Sequence, residues 1–298
     1  MFLITYINKN MPKVLVTDAL SDLGLDILKE CAEVIYEPGM SPDKIKEVIS
    51  DCDAMLIRSG TTVTADILEA CSPKMKIIGR AGVGVDNVDV EVATKKGILV
   101  VNSPDGNTTA AAEQTVTLMM SLARNTAYAH NSMLAGKWDR KSFTGVELRN
   151  KTLGIVGLGK IGSKVAGMSY AIGMKIIAFD PLASESYAKS INVKLVKDID
   201  EIWTKSDFIS LHVPKNPKTV NLVNKETFAK MKKTVRLVNC ARGGVVNEAD
   251  LAEAIQDGSI AGAAVDVFNQ EPINPDNPLL KLQDKIILTP HLGAATEE

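Results

Sequence analysis

Short apolar runs alternate with amphipathic stretches along almost the whole chain. From residue 13 onward KVLVTD, AEVIYE, DAMLIR, MKIIGR and GILVVN are rich in Val, Ile and Leu and too short to be helices. Between them SDLGLDILKE, SPDKIKEVIS, TADILEACS and DVEVATKKG carry apolar residues at helical spacing. Continuous apolar strands alternating with helices predict a parallel sheet covered on both faces. That array ends near Val101. TTAAAEQTVTLMMSLARN then predicts a longer helix, Thr108 to Asn125, with Asn107 or Thr108 as N-cap. Its small and apolar residues suit either a dimer surface or core packing between the domains.

A second array follows: TLGIVG, MKIIAFD, VKLV, DFISLHV, VRLVN, AGAAVDVF and KIILTP. The predicted fold class is therefore α/β, two doubly wound parallel-sheet (Rossmann-like) domains with a ligand cleft between them. The 298 residues agree, at roughly 150 per domain. Residues 1–10 precede the pattern and read as a tail or edge strand. MFLITYI lacks the basic flank and cleavage site of a signal peptide, and no apolar run reaches the roughly 18 residues of a membrane span.

Charge narrows the function. With 34 Lys and Arg against 36 Asp and Glu, the chain lacks the basic excess of a general nucleic-acid binder. Its four cysteines, at 31, 52, 71 and 240, have no metal-ligand spacing and read as reduced thiols of a cytoplasmic protein. Only three histidines offer proton chemistry near neutral pH. His130 reads as a helix surface residue, and His212 as a strand end held by a local backbone hydrogen bond.

One motif points to a cofactor. Gly157-Leu158-Gly159-Lys160-Ile161-Gly162 follows a strand and opens a helix, the context a dinucleotide site requires. Gly157 permits the turn, Gly159 admits a pyrophosphate to the backbone, and Gly162 allows helix and strand to pack closely. The helix N-terminus supplies N–H groups and partial positive charge to the phosphates. Asp180 ends the next strand 18 residues past Gly162, where a carboxylate binds the ribose hydroxyls and repels a 2′-phosphate. NAD is the cofactor expected.

Three segments at strand ends offer chemistry: NCARGG from Asn239, NQEP from Asn269, and PHLG from Pro290. Arg242 suits two-point recognition of a carboxylate or carbonyl, and His291 suits proton exchange with a carboxylate to orient it. Hydride transfer to a ketone needs such a set.

LIRSGTTVTADIL, GRAGVGVDNVDVEVATKKGILVVNSPDGNT, GKWDRKSFTGVEL, GIVGLGKIG, VNCARGGVVNE, AVDVFNQEP and TPHLGAAT together resemble the D-isomer-specific 2-hydroxyacid dehydrogenases. The likeness runs from about Met11 to the last residue and is strongest to members acting on D-3-phosphoglycerate. It implies a substrate domain over 1–105 and an inserted NAD domain over 106–291. A return helix would begin near 292 and be cut short at Glu298. It also implies a catalytic set: Arg242 binding and polarising the substrate, Glu271 pairing with His291 and raising its pKa, and His291 as general acid/base. NAD contacts would fall on Gly157, Gly159, Lys160, Ile161, Gly162, Asp180, Val213, Cys240, Ala241, Asp266, Gly293 and Ala294. Backbone amides at Val83 and Gly84 would hold the substrate carboxylate. Arg58 with Ser59, and Arg140 with Lys141 on a loop from a partner subunit, would hold a phosphate. The implied activity is NAD-dependent oxidation of D-3-phosphoglycerate in serine biosynthesis by a cytoplasmic homodimer without metal, membrane or nucleic acid. Solvated charges at Arg58 and Arg140 would instead leave a glyoxylate or hydroxypyruvate reductase or another D-2-hydroxyacid dehydrogenase. A third class, an NAD(H)-sensing corepressor-like protein, shares the fold.

Overall fold

The alternation of short apolar runs and amphipathic stretches resolves, in a computed structural model that describes residues 11–282 and 285–297, into two parallel sheets clad by helices. Residues 1–10, with their expected tail or edge strand, lie outside the described residues. The chain divides into two units, Met1–Gly106 and Asn107–Glu298.

The first unit holds β1 (Lys13–Val16), β2 (Glu33–Tyr36), β3 (Ala54–Ile57), β4 (Ile77–Arg80) and β5 (Leu99–Asn102). They pair in parallel in the order β2-β1-β3-β4-β5. Alternate residues of β1 serve opposite faces, as the pleat requires. Leu15 joins Ile45, Ile67 and Ile78 on one face, while Val14 and Val16 meet Leu25 and Ala32 on the other. The order reverses between β1 and β3, so the crevice at the carboxyl end of these two strands is the sheet's switch point.

The second unit holds β6 (Thr152–Val156), β7 (Lys175–Phe179), β8 (Lys194–Leu195), β9 (Phe208–Leu211), β10 (Arg236–Asn239), β11 (Gly262–Val265) and β12 (Ile286–Leu288). The order β12-β11-β10-β9-β6-β7-β8 is the dinucleotide-binding arrangement with one strand added at the edge. Its switch point lies between β6 and β9.

The long helix spans Thr108–Arg124, with Asn107 as N-cap and Asn125 closing it in the left-handed region at φ 54°. Ala111, Ala112, Thr115, Leu118, Met119, Leu122 and Ala123 are buried, and the helix packs on helix Lys160–Ala171 and on β10, β11 and β12. The apolar stripe is thus taken up by packing inside the unit. Among the described residues after His291, no helix forms. Leu292–Ala295 forms a turn, because the Leu292 and Gly293 amides donate to the Asp266 carboxylate, both at 2.8 Å.

Candidate active site

The glycine turn after β6 is forced by its surroundings at two of its three glycines. Gly157 sits at φ 95°, and a Cβ there would come within 2.6 Å of the His212 carbonyl oxygen. A Cβ on Gly162 would lie 2.1 Å from the Gly157 oxygen, so helix Lys160–Ala171 could not approach the strand. Gly159 differs: nothing in the chain lies within 4 Å of its absent Cβ. It is also the N-cap, and no side chain caps the helix. The turn therefore keeps open space and uncapped amides, the arrangement a dinucleotide pyrophosphate fits. Lys160 is exposed at the first helical position, and Ile161 packs on the core.

Asp180, at the end of β7, reaches back to this turn. One carboxylate oxygen accepts the Leu158 N–H at 2.7 Å and the other the Leu182 N–H at 2.8 Å. Across the switch point Val213 packs on the core beyond β9. His212 differs from the expected backbone bond: its Nε2 pairs with the Ser210 hydroxyl at 2.8 Å. Burial pushes the His212 pKa down to about 4, so it stays neutral. His130 is exposed on helix Thr126–Leu134.

The loops after β10, β11 and β12 bring Arg242, Glu271 and His291 together. His291 Nδ1 lies 2.6 Å from one Glu271 oxygen, and the other oxygen accepts the Phe268 N–H at 2.8 Å. The hydrogen bond to Glu271 raises the His291 pKa against burial, with the charges of Glu271 and Asp266 adding and that of Arg242 opposing. Burial pushes the Glu271 carboxyl up, but the His291 bond, the Phe268 amide and the charges of His291 and Arg242 outweigh it and leave it low. Arg242 donates from its guanidinium to the Ala241 carbonyl at 2.6 Å. His291 itself holds φ 55°, an uncommon backbone for a non-glycine residue.

Asp266 is fully buried beneath this set. Its carboxylate accepts the Thr289 hydroxyl at 2.5 Å as well as the Leu292 and Gly293 amides, so it shapes the turn that carries His291 and Ala294. Burial pushes the Cys240 thiol up to about 12, which keeps it protonated beside the buried Ala241.

The remaining predicted residues are divided between the units. Arg58 and Ser59 are exposed after β3, and Val83 and Gly84 follow the neighbouring β4. Arg140 and Lys141 belong to the second unit, on an exposed loop where Asp139 accepts the Lys141 amide at 3.1 Å. Sequence reasoning missed Asn239, almost wholly buried, which accepts the Ala241 amide and donates to the Arg242 carbonyl. It also missed Asp18, which organises the loop of Arg58. The available signal was a polar residue closing an apolar strand run. Among the described residues no cluster of His, Cys, Asp and Glu could hold a metal ion, and no helix is long and apolar enough to cross a membrane.

A family model for the NAD binding domain of D-isomer specific 2-hydroxyacid dehydrogenases matches residues 116–293. The chain is 52% identical over 288 residues to D-3-phosphoglycerate dehydrogenase of Synechocystis sp., covering 97% of this chain and 51% of that protein. It is 50% identical to D-3-phosphoglycerate dehydrogenase of Methanocaldococcus jannaschii, covering 97% and 54%. The chain thus spans about half the length of the curated relatives it matches. Among solved structures, a glyoxylate reductase from Paecilomyes thermophila superposes with TM-score 0.87 at 28% identity, covering 97% of this chain and 90% of that one.

Proposed function

Because the chain belongs to the D-isomer-specific 2-hydroxyacid dehydrogenase family, we propose that it oxidises D-3-phosphoglycerate to 3-phosphohydroxypyruvate with NAD. The observation that carries this reading is the Glu271–His291 pair at 2.6 Å, within the electrostatic reach of Arg242. The Gly157–Gly162 turn would hold NAD, whose nicotinamide would supply the hydride chemistry at C2.

The proton chemistry belongs to the chain. Glu271 occupies Nδ1 of His291, which leaves Nε2 to take the C2 hydroxyl proton. Neutral His291 is the base in oxidation, and protonated His291 the acid in reduction. Arg242 binds the substrate carboxylate and polarises the forming carbonyl, where its charge counts most. The amides of Val83 and Gly84 hold the carboxylate. Arg58, supported by Ser59, holds the phosphate, with Arg140 and Lys141 contributed by the second copy of a homodimer. Asp180 sets the preference for NAD, and Val213, Cys240, Ala241, Asp266, Gly293 and Ala294 line the rest of the cofactor site. The names and identity of the two relatives support this substrate. The reaction serves serine biosynthesis in the cytoplasm, a setting that suits four unpaired cysteines.

The test is NADH oxidation with 3-phosphohydroxypyruvate, hydroxypyruvate and glyoxylate offered separately. The phosphorylated acid should lead in kcat/KM by at least about tenfold, the effect of one or more charge-assisted hydrogen bonds. Preference for an unphosphorylated acid would retain the mechanism and discard the phosphate roles.

A further inference from the structure

We infer that Asp18 and Asn87 are positioning residues that hold the Arg58–Thr61 turn as a preformed cradle for the substrate phosphate; the inference rests on the function proposed above. The turn leaves β3 without regular secondary structure, yet its backbone is held from two sides. Asp18 Oδ2 accepts the Arg58 N–H at 2.6 Å and the Thr61 N–H at 3.1 Å. Asn87 Nδ2 donates to the Arg58 carbonyl at 2.7 Å and to the Thr61 carbonyl at 2.6 Å. The first and last residues of the turn therefore have both backbone groups bound by side chains from other segments. A buried Thr17–Thr61 hydroxyl pair at 2.8 Å adds a further tie. Gly60 is moulded to the carboxylate, since a Cβ there would lie 2.5 Å from Asp18 Oδ1.

The Arg58 side chain is treated differently. It is exposed, makes one long contact of 3.4 Å to the Ala19 carbonyl, and pairs with no carboxylate among the described residues. A backbone fixed this firmly beneath an unpaired cation is a partly preorganised anion receptor, because the backbone share of the ordering cost is met before the ligand arrives. Location agrees: Asp18 follows β1 and the turn follows β3, so the clamp spans the switch point where open α/β sheets take ligands. The Asp18 carboxylate is itself buried and bound to amides, a poor competitor for the guanidinium.

The experiment compares wild type with Asp18→Ala, Asp18→Asn and Asn87→Ala, reading KM and kcat on 3-phosphohydroxypyruvate and hydroxypyruvate, and Kd for NADH. Asp18→Ala and Asn87→Ala should each raise KM for the phosphorylated acid about tenfold, as for one misaligned charge-assisted hydrogen bond. Losses on hydroxypyruvate and in NADH binding should stay below about twofold. Asp18→Asn keeps an acceptor for both amides and should recover most of the lost affinity. Equal loss on both acids, or no loss on either, overturns the inference while leaving the wild-type preference intact. A wild type without preference for the phosphorylated acid overturns the functional reading first, and the inference with it. If Asp18→Ala fails to fold, half-buried Asn87→Ala carries the same readout.

Discussion

After β1 and after β6 the chain reaches the same place in its sheet, the first strand-to-helix turn beside the switch point. The turn after β1 reads TDALS and contains no glycine. Ser21 caps helix Asp22–Lys29 by accepting the Gly24 amide at 3.3 Å, and Asp18 ties the turn to the loop after β3. The turn after β6 has Gly159 where the first has Ser21, so helix Lys160–Ala171 starts with no side-chain cap. Both turns are bound by a carboxylate, Asp18 in one and Asp180 in the other. What separates them is the helix end: a serine hydroxyl takes up one amide of the first helix, and no side chain takes up any amide of the second. Topology offers a crevice in both sheets, and the uncapped helix end is the feature that suits the second to a dinucleotide.

The sharpest way to separate chemistry from this binding difference is His291→Ala. It should lower kcat by about a thousandfold, within the usual range for a general acid/base. Stopped-flow NADH binding should stay near wild type, because the helix end is untouched; near-normal turnover would remove His291 from the mechanism. Next in size comes Gly159→Ala beside Gly162→Ala. Open space around Gly159 predicts an unchanged Tm and an NADH Kd weakened about a hundredfold by obstruction of the pyrophosphate. Gly162→Ala, driven against the Gly157 carbonyl, should lower Tm as well. If both variants behaved alike, Gly159 would be structural and the comparison would collapse.

Glu271→Gln acts more gently. Glu271 raises the His291 pKa, so in the reduction direction, which uses protonated His291, activity falls as pH rises through that raised value. Gln removes the charge and moves the falling limb to lower pH, costing about tenfold in rate on that limb. The same raised pKa contributes stability present below 6.5, the ordinary value, and lost as pH rises through the folded one. A kcat–pH profile that does not move would show that Glu271 only orients the ring.

The strands and the glycine turn were legible in the sequence because their signals are local. The run TLGIVGLGKIG sets a strand, its turn and a helix start within eleven residues, and each glycine has a reason there. The pairing of Glu271 with His291 was readable only through family resemblance, since the two lie 20 residues apart on loops of different strands. Asn239 and Asp18 were signalled only as polar residues closing an apolar run, and the groups they bind were not readable. Each depends on a buried polar side chain meeting backbone groups, in the case of Asp18 groups 40 residues away, and no periodicity encodes such a meeting. The long helix left its partner open for a related reason: Ala111, Leu118 and Leu122 form an apolar stripe whose partner, another chain or the chain's own core, the stripe itself does not specify.

The smallest predicted effect bears most directly on the two turns, because it exchanges their caps. Ser21→Ala removes the hydroxyl that accepts the Gly24 amide and should cost about 1 kcal/mol of stability, the usual loss for an N-cap. NADH binding should not change. Gly159→Ser installs the missing cap: Gly159, at φ −73° and ψ −164°, lies in the extended region like Ser21 at −64° and 149°. A serine there can accept an amide of helix Lys160–Ala171 and should add a few tenths of a kcal/mol, the usual difference between Gly and Ser at this position. The same bond withdraws an amide from the pyrophosphate, so Tm should rise while NADH affinity falls. Opposite signs in calorimetry and NADH titration follow only if the uncapped helix end is the cofactor's seat. A Gly159→Ser protein that gained stability and bound NADH as tightly as wild type would place the pyrophosphate elsewhere.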